Sequence, residues 1–189
     1  MRMINAIKKG LKPFSDFREC AANAVVSILL RVLDSDIYLL AVKRVESSKD
    51  PWSGHFSLPG GKRESKDRDL LETVVRETME EIGVDLRESI FLGVVEPERS
   101  QLNPNIIVLP FVFLLEKEPT VNLNRCELER YVWVPISALL NNERTIEVGS
   151  NKHPAFIVGD IVIWGLTYRI LKKVLQGVEE TLSGDKSRI

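Results

Sequence analysis

Residues 58–84 have the sequence LPGGKRESKDRDLLETVVRETMEEIGV, and this stretch decides the fold. Two adjacent glycines, Gly60 and Gly61, precede an amphipathic run that ends at a third glycine. Asp69, followed three residues later by Glu72, is typical of the capping-box start of a helix, and glycine is a natural helix stop. The stretch therefore predicts a glycine loop followed directly by one helix.

Three glutamates lie along one edge of the predicted helix. At about 100° per residue, Glu77, Glu80 and Glu81 fall within roughly one 100° arc. Carboxylates ~5 Å apart repel each other by roughly 3 kcal/mol at an effective dielectric of 20. Taken alone, such a run is typical of a solvated helix face. Here the acidic edge lies beside the apolar face, which indicates a bound cation or a catalytic role; that face comprises Leu71, Val74, Val75, Thr78 and Ile82.

The loop, the helix and the three acids together resemble the Nudix hydrolase motif. That motif has a glycine, then a glutamate, then Arg-Glu-x-x-Glu-Glu-x-Gly, and the last part matches Arg76 to Gly83. The segment between the glycines and Arg76 is one residue longer than in the general motif. Glu64 or Asp67 therefore stands where the usual lone glutamate would be.

The lengthened segment, with an Asp near position 67, resembles the coenzyme A diphosphatase branch of that family. Val45 departs from this branch, which more usually has a serine there. The resemblance covers about residues 21 to 175. Outside the helix it rests on Arg44, Lys49, the run GHFSLPGG at 54–61, the run VWVP at 132–135 and the run IWGLT at 163–167.

The composition predicts one globular domain. A chain of 189 residues that is 44% hydrophobic and 28% charged can bury one good core, with little left for a second. We expect a solvated N-terminal arm at 1–20, a Nudix hydrolase domain at 21–177 and a polar, frayed tail at 178–189.

Charge and cysteine content exclude several classes of protein. Lys and Arg number 26 against 27 Asp and Glu, which argues against broad nucleic-acid binding. Cys20 and Cys126 form no CxxC pair, so neither a disulfide framework nor a zinc site is indicated. No apolar run approaches ~20 residues, and no signal peptide is evident. We therefore expect a cytoplasmic protein that does not bind membranes.

The remaining apolar runs predict strands and two more helices around the acidic helix. Helices and strands alternate along the chain, which predicts an α/β fold, a three-layer α/β/α sandwich with a mixed sheet, as the resemblance also implies. The predicted strands are a hairpin of 21–33 and 37–43, a short strand at 56–58, and strands at 90–95, 106–115 and 131–134. The predicted helices are a short one from Pro135 through Leu140 and a long one at 161–176.

Clustered carboxylates without His or Cys ligands suit a hard cation, Mg²⁺ or Mn²⁺. Glu77 and Glu81, four residues apart, are the predicted principal ligands, and Glu80 is a further ligand or a partner of one. Arg76 has two interpretations. It orients a glutamate through a bidentate contact, as the resemblance implies, or it pairs on the surface with Glu72 or Glu80.

The general base has two candidates, Glu80 and Glu127, although Glu127 is equally well explained as an exposed loop acid. Arg44 and Lys49 are candidate phosphate ligands, and Gly60 and Gly61 allow close approach of a substrate. Trp52, His55 and Phe56 are candidates for stacking on a base, with a structural role favoured for the histidine. Trp164, in an apolar helical pattern, is predicted to lie in the core.

The favoured function is metal-dependent hydrolysis of a diphosphate bond in a nucleotide-linked metabolite. The resemblance makes coenzyme A the best single substrate, cleaved to phosphopantetheine and adenosine 3′,5′-bisphosphate. The alternative within the class is a hydrolase of ADP-ribose or dinucleoside polyphosphates. A different class, a non-catalytic nucleotide-sensing domain, is disfavoured because all three glutamates are present. The expected partner is a small nucleotide, and the resemblance is compatible with a homodimer.

Overall fold

A computed structural model describes residues 2–46 and 54–186 of the chain. Within these residues the helices are α1 (Arg2–Lys9), α2 (Leu70–Ile82), α3 (Ile136–Asn141) and α4 (Gly165–Lys186). The strands are β1 (Ala24–Leu33), β2 (Asp36–Arg44), β3 (Phe56–Ser57), β4 (Ile90–Val94), β5 (Glu98–Arg99), β6 (Ile107–Leu115), β7 (Leu128–Pro135), β8 (Glu143–Val148), β9 (Asn151–Val158) and β10 (Ile161–Trp164).

The seven strands β1 to β7 form one mixed sheet. Its order is β3-β2-β1-β6-β4, with β7 also on β2 and β5 also on β6. The β1 and β6 strands are parallel over eight residue pairs, and the other pairs are antiparallel. The predicted hairpin is confirmed as β1 and β2, which turn at Asp34 with a positive φ of 54°.

Helices cover both faces of this sheet. On one face α2 packs Leu70, Val74 and Ile82 into a core with alternate side chains of β1 and β6. On the other face α1, α3, α4 and a small antiparallel sheet, β10-β9-β8, pack against the intervening side chains. The three-layer α/β/α sandwich with a mixed sheet is therefore confirmed.

The ends of α2 follow the local sequence signals. The Asp69 side chain accepts a hydrogen bond from the Glu72 backbone N–H at 2.9 Å, which satisfies one of the free donors of the first turn. Gly83 adopts a left-handed φ of 68°, and its N–H donates to the Met79 carbonyl. Both predicted helix boundaries are confirmed.

The two adjacent glycines lie against the main sheet. The β1–β2 register covers only Leu30 to Leu33 of β1, so the first half of β1 has an open edge. The glycine segment fills it, because Val25 N–H donates to the Gly61 carbonyl at 2.9 Å and Ser27 N–H donates to the Pro59 carbonyl at 2.8 Å. The loop is thereby fixed as tightly as a strand.

The N-terminal segment is not the solvated arm that the sequence suggested. Residues 2–9 form α1, whose Ile4, Ala6 and Ile7 are buried in the core beside α4. The basic residues Lys8 and Lys9 are exposed, at the helix end where cations are favoured. The expectation failed because the basic residues obscured the apolar side chains between them.

The long helix predicted at 161–176 is wrong at its start. Ile161 to Trp164 is strand β10, and α4 begins at Gly165, whose φ is 63°. The whole sheet of β8, β9 and β10 was missed. At the other end α4 continues to Lys186, so the tail predicted as frayed from 178 is helical as far as that residue. Among the described residues, no helix is long and apolar enough to cross a membrane.

Candidate active site

A cavity of about 740 Å³ opens between the glycine loop, α2, the small sheet and the first turns of α4. One part of its lining carries most of the residues that the sequence singled out. The predicted site residues found there are Arg44, Gly60, Gly61, Glu77, Glu81 and Glu127. Lys49 lies outside the described residues, as does Trp52.

Glu81 is buried at the floor of this cavity. Its side chain is 5% exposed, and its Oε2 accepts a hydrogen bond from the Gly60 N–H at 2.9 Å. Its pKa is raised to about 7, chiefly by burial and also by the charges of Glu127 and Glu77, whereas the Gly60 hydrogen bond and the Arg44 charge act to lower it. The surroundings of Glu81 therefore only partly stabilise its ionised form.

Glu77 lies against the second glycine of the loop. A Cβ on Gly61 would lie 2.3 Å from the Glu77 Oε2, so any other residue at this position would displace the carboxylate. Burial raises the pKa of Glu77, and the contact with Arg76 opposes that rise. Each glycine thus serves one glutamate. The Gly60 N–H donates a hydrogen bond to Glu81, and the missing side chain of Gly61 leaves space for the Glu77 carboxylate.

Arg76 is the centre of an ion-pair network on the rim of the site. Its Nε and Nη2 donate to the two carboxylate oxygens of Asp67 at 3.0 and 2.9 Å. Its Nη1 donates to Glu77 at 2.8 Å and to Glu80 at 3.0 Å. The bidentate Asp67 contact holds the pKa of Asp67 well below its usual range. The bidentate contact is thus made with Asp67 and not with a glutamate, while Arg76 makes one hydrogen bond to Glu77 and one to exposed Glu80.

Asp67, rather than Glu64, makes the bidentate contact in the lengthened loop. Asp67 is 4% exposed and also accepts hydrogen bonds from the Glu64 backbone N–H and the Thr73 hydroxyl, at 2.9 and 3.1 Å. The Glu64 carboxylate is half-exposed and lies 3.5 Å from Arg76. In this loop the shorter carboxylate, Asp67, is therefore the one that pairs with the arginine.

The two candidates for the general base differ in position. Glu80 is exposed, is held by Arg76 and lies outside the cavity lining. Glu127 is also exposed but lines the cavity, where its Oε1 accepts from the Asn124 amide at 3.0 Å. Its charge raises the pKa of both Glu77 and Glu81, so it faces the same space.

The donor set is suited to a hard divalent cation, although it is not a closed cage. Within residues 2–46 and 54–186, no three acidic, His or Cys side chains converge as a metal-binding group. Glu77, Glu81 and Glu127 nevertheless line one cavity, and the charge of Glu127 raises the pKa of the other two. Mg²⁺ favours one or two protein carboxylates together with water and substrate phosphate oxygens, which fits such an open set.

A second wall of the cavity was predicted only in part, since His55 was a stacking candidate but His153 was not singled out. The His55 and Trp164 rings lie 5.0 Å apart, edge to face, and the His153 and Trp164 rings lie 5.2 Å apart. All three rings line the cavity, so the prediction that Trp164 lies in the core is wrong. Phe56 is buried, with the Arg130 guanidinium 5.2 Å above its ring. The overlooked signal was Gly165, which separates IVIW from the helix that follows.

A NUDIX domain model matches residues 22–152, more than half of the chain. The chain therefore belongs to the Nudix family. It is 35% identical over 160 residues to the chloroplastic Nudix hydrolase 22 of Arabidopsis thaliana, covering 78% of this chain and 52% of that protein. It is 28% identical over 168 residues to the mitochondrial coenzyme A diphosphatase of mouse, covering 84% and 78%.

An uncharacterized protein of Schizosaccharomyces pombe is 34% identical over 133 residues, covering 64% of this chain. The chain spans 40% of that protein's length and 52% of the Arabidopsis protein's length. Among solved structures, a binary complex of the Caenorhabditis elegans Ap4A hydrolase superposes with a TM-score of 0.58 at 15% identity, over 85% of this chain and 98% of that one. At such identity the similarity shows the fold alone.

Proposed function

We propose that this protein is a metal-dependent diphosphatase that cleaves a nucleotide-linked metabolite, with coenzyme A as its substrate. The observation that carries the proposal is the position of Glu77 and Glu81, which meet Gly61 and Gly60 at the floor of one large cavity. Buried carboxylates beside a backbone that leaves close access are suited to holding a cation against a diphosphate.

Glu77 and Glu81, the predicted principal ligands, are the residues that would hold Mg²⁺ or Mn²⁺, whereas Glu80 lies outside the cavity lining. When bound, the cation supplies charge neutralisation at the diphosphate and lowers the pKa of a coordinated water. Arg76 holds Glu77 in place through its own anchor on Asp67. Glu127, which is exposed at the cavity edge, is the better placed of the two candidate bases to accept a proton from an attacking water.

Coenzyme A is favoured over the alternative substrates by two observations. The mouse coenzyme A diphosphatase is similar over 84% of this chain. In addition, the lengthened loop that resembles that branch forms a defined structure here, with Asp67 locked to Arg76. The runner-up substrates are ADP-ribose and dinucleoside polyphosphates.

The test is a substrate panel of coenzyme A, ADP-ribose and dinucleoside polyphosphates, each assayed with Mg²⁺ and with Mn²⁺. We expect hydrolysis to vanish in EDTA, to return with either metal, and to be fastest for coenzyme A. Far faster cleavage of ADP-ribose would establish the runner-up instead. Activity that persists in EDTA after extensive dialysis would refute metal dependence.

The nucleophile is proposed to be water, because the side chains at the cavity floor, Glu77 and Glu81, are carboxylates suited to holding a cation that activates a coordinated water. Single-turnover hydrolysis in ¹⁸O water should therefore label one phosphate product in the first turnover. Unlabelled product would indicate a phosphoryl-enzyme. Cytoplasmic localisation and a homodimer stay predictions.

A further inference from the structure

The cavity has a wall that the proposed chemistry does not use. His55, His153 and Trp164 come from three distant parts of the chain, namely the approach to β3, strand β9 and the end of β10. Their rings meet with centroid separations of 5.0 and 5.2 Å, and each ring lines the cavity. A large indole is usually enclosed by a core, yet Trp164 is only half-buried.

We propose that this aromatic wall, defined as His55, His153 and Trp164, binds the base of the nucleotide substrate by stacking. The inference rests on the proposed function for its substrate class, and it adds the residues that recognise the base. Aromatic rings on a cavity wall offer flat apolar surface at little entropic cost, and every nucleobase has a matching π-face.

The position of the wall relative to the glycine loop supports this assignment. Five residues lead from His55 to Gly60, and a chain spans at most ~3.5 Å per residue, so their Cα atoms are separated by no more than about 18 Å. Gly60 and Trp164 line the same cavity. A diphosphate at the glycines and a base at the indole can therefore belong to one bound molecule.

The polar neighbours of the wall are also suited to a base. The side chains of Asn151 and Gln101 line the same cavity and carry amides, which pair with the donors and acceptors along a base edge. No acidic side chain is among the lining residues of β9 and β10. This part of the cavity thus offers stacking and neutral hydrogen bonding, whereas the glutamates offer charge.

The test uses binding of adenosine 5′-monophosphate, a product-like ligand, measured by tryptophan fluorescence and by calorimetry in EDTA. We expect the ligand to quench fluorescence in the wild-type protein and in the W52F and W133F variants, and the quench to be lost in Trp164→Phe. Trp133 is the matched control, since its side chain packs in the core on the other face of the main sheet. Ribose 5-phosphate, which lacks a base, should quench none of them.

Calorimetry measures binding directly, so it distinguishes a loss of stacking from a mere loss of the Trp164 fluorescence signal. Trp164→Phe keeps an aromatic ring and should bind the nucleotide within a fewfold of wild type. Trp164→Leu should raise Kd by roughly 5- to 150-fold, equivalent to about 1–3 kcal/mol. His153→Ala, at a half-buried strand position, provides a second variant should Trp164→Leu not fold.

The outcomes separate this inference from the proposed function. The base-binding wall would be overturned if wild type, Trp164→Leu and His153→Ala had equal Kd values, even if coenzyme A is hydrolysed. It would also be overturned if the quench disappeared only in W52F or W133F. A Trp164-dependent Kd without hydrolysis of any substrate would support the wall and refute the diphosphatase. In an active enzyme, Trp164→Leu should raise KM for coenzyme A while kcat changes less than threefold.

Discussion

The cavity joins two regions that are built in different ways. The carboxylate floor comes from one continuous stretch, residues 58–84, and is held by hydrogen bonds and ion pairs such as Gly60 to Glu81 and Arg76 to Asp67. The aromatic wall comes from three separate segments and is held by ring packing around Trp164. The floor is fixed by directional contacts, whereas the wall is fixed by shape.

This difference in construction indicates that the two regions have different functions. Directional contacts hold charged groups to within a few tenths of an ångström, which reaction chemistry requires. Ring packing tolerates small displacements and offers surface to a substrate. We therefore expect changes in the floor to affect turnover or folding, and changes in the wall to affect substrate binding.

The largest expected effect is loss of turnover when Glu81 is changed to Gln. We expect kcat to fall at least ~1000-fold, about 4 kcal/mol, because a neutral amide is a poor ligand for a divalent cation. The free energy of unfolding should change little, since the amide oxygen can still accept from Gly60 N–H and a buried charge is removed. Steady-state kinetics and chemical denaturation of the same preparation measure both quantities.

Glu72→Gln is the matched control for this change. Glu72 is on the same helix, but its carboxylate pairs with exposed Arg68 outside the cavity. It should keep near wild-type kcat. Full activity in Glu81→Gln would remove Glu81 from the catalytic floor and with it the contrast between the two regions.

The next largest effect is on folding, when Gly60 is changed to Ala. Gly60 has a φ of 153°, and a Cβ there would lie 2.1 Å from the Val25 carbonyl oxygen. We expect the free energy of unfolding to fall by about 4 kcal/mol from steric overlap and backbone strain. Gly159→Ala is the control, since its φ is 61° but nothing lies within 4 Å, and it should cost only about 1 kcal/mol. Equal losses in the two variants would show that the loop is not fixed against β1.

A smaller loss of stability is expected for Asp67→Asn. Asp67 and Arg76 are both largely buried, so removing the Asp67 charge takes away the bidentate partner of Arg76 and should cost about 3 kcal/mol. The pKa of Asp67 is lowered in the folded protein, so its stabilising effect is present above its unfolded pKa of about 3.9 and declines as the pH falls below that value. Urea unfolding should therefore show a lower free energy of unfolding for Asp67→Asn than for wild type at pH 7, and a smaller difference between the two at pH 3.

The exposed Asp85–Arg87 pair supplies the comparison for Asp67. Asp85→Asn removes an ion pair of similar geometry at the surface, where solvent screens it. Its effect on unfolding should be small at both pH values. A loss as small for Asp67→Asn would contradict the view that the floor depends on its buried ion pair.

The same division explains what the sequence could predict. The start and stop of α2 depend on contacts within four residues, so Asp69, Glu72 and Gly83 define them without knowledge of the rest of the chain. The placement of Gly60 and Gly61 beside the glutamates follows, because loop and helix are adjacent in sequence. The floor could be predicted in outline because its residues come from one continuous stretch of the chain, although the hydrogen bond from Gly60 to Glu81 joins residues 21 positions apart.

The aromatic wall was not predictable, because no local pattern links positions 55, 153 and 164. The strands that carry it have partly exposed side chains on both faces, so they lack the alternation of a half-buried strand. The run IVIW passes into α4 without a polar break, and only Gly165 marks the boundary. Helix α1 was missed for a related reason: eight residues are too few to be stable alone, and its packing on α4 is a tertiary effect.

The last prediction concerns Arg44, the residue that connects the two regions. Its charge lowers the pKa of Glu81 in the floor, and its backbone N–H donates to the carbonyl of His55 in the wall. Under the proposed function, the Arg44 guanidinium is the candidate ligand for the 3′-phosphate of coenzyme A. Dephospho-coenzyme A lacks that phosphate and should lose about 1.5–3 kcal/mol of transition-state binding. Its kcat/KM should therefore be roughly 10- to 150-fold lower than that of coenzyme A.

Arg44→Ala should reduce this discrimination toward unity, because it removes the contact that only coenzyme A makes. Arg31→Ala is the control, since Arg31 pairs with Glu118 and does not line the cavity; it should leave the ratio of the two kcat/KM values unchanged. If Arg44→Ala lowers both kcat/KM values equally, Arg44 acts only through Glu81 and belongs to the floor, and Lys49 becomes the candidate for the 3′-phosphate. If the ratio of the two kcat/KM values is unchanged in Arg44→Ala, the Arg44 charge acts on the chemistry at the floor and not on recognition of the nucleotide.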